Sequence, residues 1–118
     1  MPNDAEPTVF SRIAAREIPA DVVAETDRVI AFRDIAPKAP VHVIVAPKTQ
    51  EHRDVVELAA ADPALLAEVV DVARGVAAQL ADGQFRLVFN TGPNAGQTVF
   101  HVHAHVLAGG LEEGSLAG

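Results

Sequence analysis

The run Val99-Phe100-His101-Val102-His103-Ala104-His105-Val106-Leu107 alternates between apolar and mostly imidazole side chains. Alternation with a period of two is the signature of a β-strand, which turns successive side chains to opposite faces. As one strand over Val99 to Leu107, the run puts Phe100, Val102, Ala104 and Val106 into a core. His101, His103 and His105 then stand on the other face, about 6.7 Å apart from one to the next. A chain carrying such a strand must build a sheet with one packed face and one face lined by ring nitrogens.

The other elements follow from local signals. Val9 to Ile18 reads as a short amphipathic helix ended by Pro19, whose ring cannot continue it. Val22 to Glu25 and Val29 to Asp34 read as a hairpin turning at Thr26 and Asp27. The prolines of Ile35 to Pro40 make a connector. Val41 to Ala46 reads as a buried strand with His42 and Ile44 on one face and Val41, Val43 and Val45 on the other. Asp62 followed by Pro63 starts the main helix, whose apolar positions from Leu65 to Leu80 recur at helical spacing up to a stop near Gly83. Gly75 inside it points to close packing. Phe85 to Asn90 alternates as a strand, and Thr91 to Gln97 is a glycine-containing loop. The fold expected is α+β: an antiparallel sheet of about five strands, with one long and one short helix packed on one side.

The 118 residues fit one domain, residues 8–118, behind a flexible N-terminal stretch at 1–7. With no cysteine, disulfides and thiol chemistry are excluded. No secretory signal pattern opens the chain and no apolar run is long enough to span a bilayer, so a cytoplasmic address without membrane association is expected. The formal net charge is −7, and no basic stripe is visible, which argues against nucleic acid as a partner. A small anionic ligand is still compatible, because a few local donors can hold a phosphate.

Three of the five histidines share the last strand. Imidazole attacks, donates, accepts or ligates a metal near neutral pH. The loop before the row offers backbone amides to an anion, and Asn90 and Gln97 add polar groups at its two ends. A lone His42 or His52 is most simply structural. Histidines at i and i+2 also suit zinc, but no acidic residue or cysteine adjoins them in sequence, so no metal and no cofactor is expected.

The segment His101 to Leu107 matches the H-φ-H-φ-H-φ-φ signature (φ apolar) of the histidine triad, or HIT, superfamily. Phe10-Ser11-Arg12-Ile13, Glu17-Ile18-Pro19, Ala31 to Pro37, Ala39-Pro40-Val41-His42 and Gly96 to Phe100 resemble its Hint branch, in order, from about Val9 to Gly110. The resemblance implies a HIT-like fold, a homodimer that joins two sheets, and a site for a purine nucleotide such as AMP or GMP. It implies hydrolysis of adenosine phosphoramidates or acyl-adenylates through a nucleotidyl-histidine. By position His103 is the nucleophile, His105 donates to the α-phosphate, and His101 and His42 support the row. Asp34 matches the acid on the ribose hydroxyls. Phe10, Ile13, Ile18, Phe32 and Ile35 match the walls of the base pocket. Asn90, Gln97 and Thr98 match the polar groups around the phosphate, with Thr98 near the leaving group.

Two features depart from the Hint pattern: Gln50 stands where many Hint proteins carry histidine, and the tail Leu111 to Gly118 lacks their closing aromatic and proline residues. Two further readings share the same residues. One is a dinucleoside polyphosphate hydrolase; the other is a nucleotide-binding interaction protein with incidental turnover.

Overall fold

The computed structural model describes residues 6–113. Most of the stretch expected to be flexible, residues 1–5, and the end of the tail, residues 114–118, lie outside that range. The elements in order are α1 (Val9–Ala14), β1 (Val22–Glu25), β2 (Val29–Arg33), β3 (Val41–Pro47), α2 (Val55–Ala61), α3 (Pro63–Leu80), β4 (Arg86–Val88) and β5 (Ala104–Ala108). The five strands form one sheet in the order β1-β2-β3-β5-β4, and every neighbouring pair is antiparallel. The α+β reading therefore holds.

β3 is central because its side chains are apolar on both faces. Val43 and Val45 are fully buried on one face with Val29, Ala31, Ala104 and Val106, under Leu58 of α2 and Leu65, Val69, Ala73 and Val76 of α3. Burying each of these larger aliphatic side chains contributes about 1.5–3 kcal/mol. α3 starts where Asp62 accepts a hydrogen bond from Leu65 N and Pro63 occupies the first turn. On the other face Ile30, Phe32, Ile44 and Ala46 pack with Phe10 and Ile13 of α1.

Several boundaries differ from the sequence expectation. The helices lie on both faces of the sheet, because α1 carries its own apolar stripe to the face opposite α3. The described residues form three α-helices rather than two: α2 is capped by the Asp54 side chain on Glu57 N and anchored by the buried Leu58. α1 ends at Ala14, before Pro19, and the chain leaves it through Arg16 at φ 64°. β4 is limited to Arg86–Val88, and the helix interior at Gly75 faces open space rather than a close neighbour. β5 starts only at Ala104, so Phe100 to His103 are not strand, and Phe100 is exposed rather than in the core. Among the described residues no helix is long and apolar enough to cross a membrane.

Candidate active site

The histidine row is held by tertiary contacts where the strand was expected to hold it. Before β5, Val102 N donates to His52 O at 3.0 Å, tying the segment to the loop after β3. Gln97 is buried and braces the loop: its Oε1 accepts from Gly92 N at 2.8 Å, and its Nε2 donates to Arg53 O and Val99 O at 2.6 and 3.1 Å. Its amide is therefore committed to backbone and not turned to a ligand. Only His105 sits within β5, paired with Ile44 of β3 in register, which places it on the α1 face of the sheet.

Each ring has a defined hydrogen-bond environment. His101 is fully buried; its Nε2–H donates to Pro47 O at 2.6 Å, since a carbonyl only accepts. Burial pushes its pKa from the ordinary 6.5 to about 4, so the ring is neutral. The His101 carbonyl accepts from His103 Nδ1–H at 2.9 Å. His103 is lowered too, by burial, with the His101 carbonyl and the Asp34 charge opposing. Its Nε2 then carries a free lone pair. The ring lies edge-on to Phe10, with centroids 4.8 Å apart, and 5.1 Å from the ring of His105.

A second chain of hydrogen bonds sets the tautomer of His105. Lys38 N–H donates to His42 Nδ1 at 2.9 Å, so the neutral His42 ring carries its hydrogen on Nε2. That Nε2–H points to His105 Nδ1 at 2.9 Å, leaving His105 with its own hydrogen on Nε2. Burial is the main cause lowering His42, and burial with the neighbouring rings of His103 and His42 takes His105 to about 4. Asp34 stands 3.4 Å from His42 Nε2 through Oδ2, and its Oδ1 accepts from Ala36 N at 2.7 Å. The face thus presents a lone pair on His103 beside a donor on His105.

The surroundings are mixed polar and apolar. A cavity of about 200 Å³ is walled by Asp34, Lys38, His42, Asn90 and His105 among others. Phe10, Ile13, Ile18 and Phe32 gather in one apolar cluster, with Phe10 and Phe32 ring centroids 5.6 Å apart. Ile35 does not join them; it is fully exposed on the loop after Asp34. Thr98 is exposed on the bracing loop. A larger cavity of about 580 Å³, near Asp82, Arg86 and Gly109, contains none of the histidines. Sequence reasoning missed Thr8, Pro47 and Lys38, of which only Thr8 had a local signal, as the cap of α1, and it marked Gln50 only as a departure from the Hint pattern.

Asp34, His42 and His105 bring three ligand atoms within 4.8 Å of one another, a spacing that a metal ion accepts. The hydrogen on His42 Nε2, fixed from behind by Lys38 N–H, occupies the position such an ion would need. The donor set is arranged for hydrogen bonding.

Comparison with known proteins agrees with this geometry. The family profile described as HIT domain matches residues 15–110. An uncharacterized HIT-like protein of Synechococcus elongatus is 49% identical over 107 residues, covering 89% of this chain and 92% of the relative. The purine nucleoside phosphoramidase of Escherichia coli is 41% identical over 107 residues, covering 89% of each. The structure of a HIT family hydrolase from Clostridium thermocellum superposes with a TM-score of 0.81 at 43% identity, covering 88% of this chain and 91% of that one. With the family profile, relatives above 40% identity and a matching solved structure each covering most of its length, this chain belongs to the HIT domain family.

Proposed function

We propose that the chain is a nucleotide-binding hydrolase of the Hint type. It cleaves purine nucleoside 5'-phosphoramidates, adenosine above all, or acyl-adenylates, and releases the nucleoside monophosphate through a nucleotidyl-histidine. The observation that carries this reading is the state of His103. Its Nδ1–H is committed to the His101 carbonyl, so Nε2 is a free nucleophile beside the Nε2–H of His105. The similarity to the Escherichia coli phosphoramidase supports the substrate class.

In this reading His103 Nε2 attacks phosphorus while the phosphorus–nitrogen bond to the leaving amine breaks. The amine departs with a proton taken from solvent water, and the His103 ring, substituted at Nε2 and still protonated at Nδ1, carries a positive charge. Water then displaces the ring, giving the monophosphate, and the proton taken up with the amine is returned. Such displacement needs positioning and donors to the phosphoryl oxygens more than covalent machinery. His105 Nε2–H is one donor; Asn90 in the cavity wall and the exposed Thr98 hydroxyl are others, Thr98 toward the leaving group. His42 and His101 hold the two reacting rings. Asp34 takes the ribose hydroxyls, and Phe10, Ile13, Ile18 and Phe32 floor the base site, with Ile35 as its outer rim.

The proposed active form is a homodimer whose two protomers join their sheets, as the resemblance implies. Sedimentation is expected to give about twice the 12.4 kDa chain mass, and a monomer at micromolar concentration contradicts it. For the activity itself, AMP release from an adenosine phosphoramidate is measured beside release from a diadenosine polyphosphate. Faster release from the phosphoramidate, lost in His103→Ala, is expected. Preference for the polyphosphate would favour the other hydrolase reading.

A further inference from the structure

The ring of His101 is the only member of the row held at both nitrogens, and the group at its second nitrogen lies far away in sequence. Thr8 Oγ1 is 2.6 Å from His101 Nδ1. Because His101 Nε2–H is donated to Pro47 O, the neutral ring has a lone pair at Nδ1, and the threonine hydroxyl must supply the hydrogen. The same oxygen accepts from Ser11 N at 3.1 Å, as the cap of α1. Ser11 Oγ offers the hydroxyl proton a second acceptor, but at 3.3 Å, a longer contact than that to His101.

Thr8 is itself held from the opposite side. Gln50 Oε1 accepts from Thr8 N at 3.0 Å and from Ser11 Oγ at 2.6 Å, while Gln50 Nε2 donates to Glu6 O at 2.7 Å. One glutamine on the loop after β3 thus fixes the segment that leads into α1. The next residue but one, Phe10, lies against both His101 and His103, at ring-centroid separations of 5.5 and 4.8 Å. The cap of α1, the aromatic wall and the histidine row are one connected unit.

We propose that Thr8 is a positioning residue for the reaction: its hydroxyl holds Nδ1 of the ring whose Nε2–H Pro47 O already fixes, and this two-sided hold on His101 fixes the carbonyl that orients the attacking ring of His103. The proposal rests on the reading of His103 as nucleophile. Thr8 touches neither substrate nor phosphorus; it acts through His101. Gln50 secures the backbone from which Thr8 works.

Three substitutions separate the hydroxyl proton from the helix cap. Thr8→Ser keeps both. Thr8→Val removes both. Thr8→Asp keeps the cap, since aspartate caps helices at least as well as threonine, but has no proton to give to Nδ1. Folding is checked by circular dichroism, and ring tautomers are read from long-range nitrogen–proton correlation spectra of the unliganded protein. Turnover is measured with an adenosine phosphoramidate.

Thr8→Ser is expected to keep the His101 pattern and a kcat within about threefold of the parent, whereas Thr8→Val and Thr8→Asp lose about tenfold, the scale of one hydrogen bond. In both, the His101 Nδ1 resonance leaves its parent, hydrogen-bonded position, and KM stays within about threefold because the nucleotide contacts remain. The proposal is overturned if Thr8→Asp keeps the parent spectrum and kcat, or if the His101 Nδ1 resonance shifts with no change in kcat. Equal losses in Thr8→Ser and Thr8→Val overturn it as well. A parent protein that turns over no phosphoramidate would strike the substrate reading, while the ring spectra would still show whether Thr8 holds His101 at Nδ1.

Discussion

Asp34 and the four site histidines show how far a residue's surroundings decide its chemistry. Asp34 alone, before a proline-containing connector, reads as a turn acid, and it does accept from Ala36 N as a turn acid does. Its second oxygen faces His42, the residue lines the cavity, and the proposed function gives it the ribose hydroxyls. Hydrogen bonds to a charged group contribute about 1.5–3 kcal/mol, so Asp34→Asn is expected to lower kcat/KM for an adenosine phosphoramidate by about 10- to 100-fold. The loss should shrink for the 2'-deoxy analogue in steady-state assays. An equal loss on both analogues would place the effect at His42 instead. The histidine identities were legible because three imidazoles at alternate positions are hard to explain otherwise. The tautomers were not, because they are set by Pro47 and Lys38, residues that reach the row only after folding. Gln97 shows the converse: a polar residue beside a phosphate-type loop, yet spent on bracing it.

At the scale of elements, long periodic segments were legible and short ones were not. The 18-residue α3 announced itself by its Asp-Pro start and its apolar spacing. The seven-residue α2 offers too few turns for periodicity, and its sign in the sequence is only the Asp54 to Glu57 capping spacing. The last strand was read too long because alternation continues through residues 99–103, although Val102 N pairs with the His52 carbonyl and not with a strand. α3 also carries a test of its own. Gly75 lies inside the helix, and an added Cβ there meets nothing within 4 Å. Gly75→Ala is therefore expected to stabilise the protein by about 1 kcal/mol. The melting temperature should rise by about 4 °C in calorimetry, with turnover unchanged. A drop would show that the glycine is needed for contacts that form only in an assembly.

For the molecule as a whole, the neutral histidines couple stability to pH. His101 and His105 titrate at about 4 in the folded chain, against an ordinary 6.5, and His42 and His103 are lowered in the same direction. Between those values the unfolded chain binds protons that the folded chain does not, so this contribution is complete above pH 6.5 and is lost as pH falls toward 4. For His101, which is wholly enclosed, the loss is on the order of 3 kcal/mol. Urea unfolding at pH 7.5 and pH 5 is expected to show a clearly lower midpoint at pH 5. Equal midpoints would mean that the rings are already charged in the fold. The overall architecture was legible from order and alternation. The placement of α1 on the histidine face was not, since an amphipathic helix does not state which side of a sheet it will cover.

The nucleophilic role of His103 is tested most directly by intact mass measured on protein quenched shortly after mixing with an adenosine phosphoramidate, beside His103→Ala. A transient gain of one AMP unit in the parent, absent from the variant, is the predicted result. A parent that binds nucleotide yet neither gains mass nor releases AMP, or a variant that gains the same mass, would contradict it.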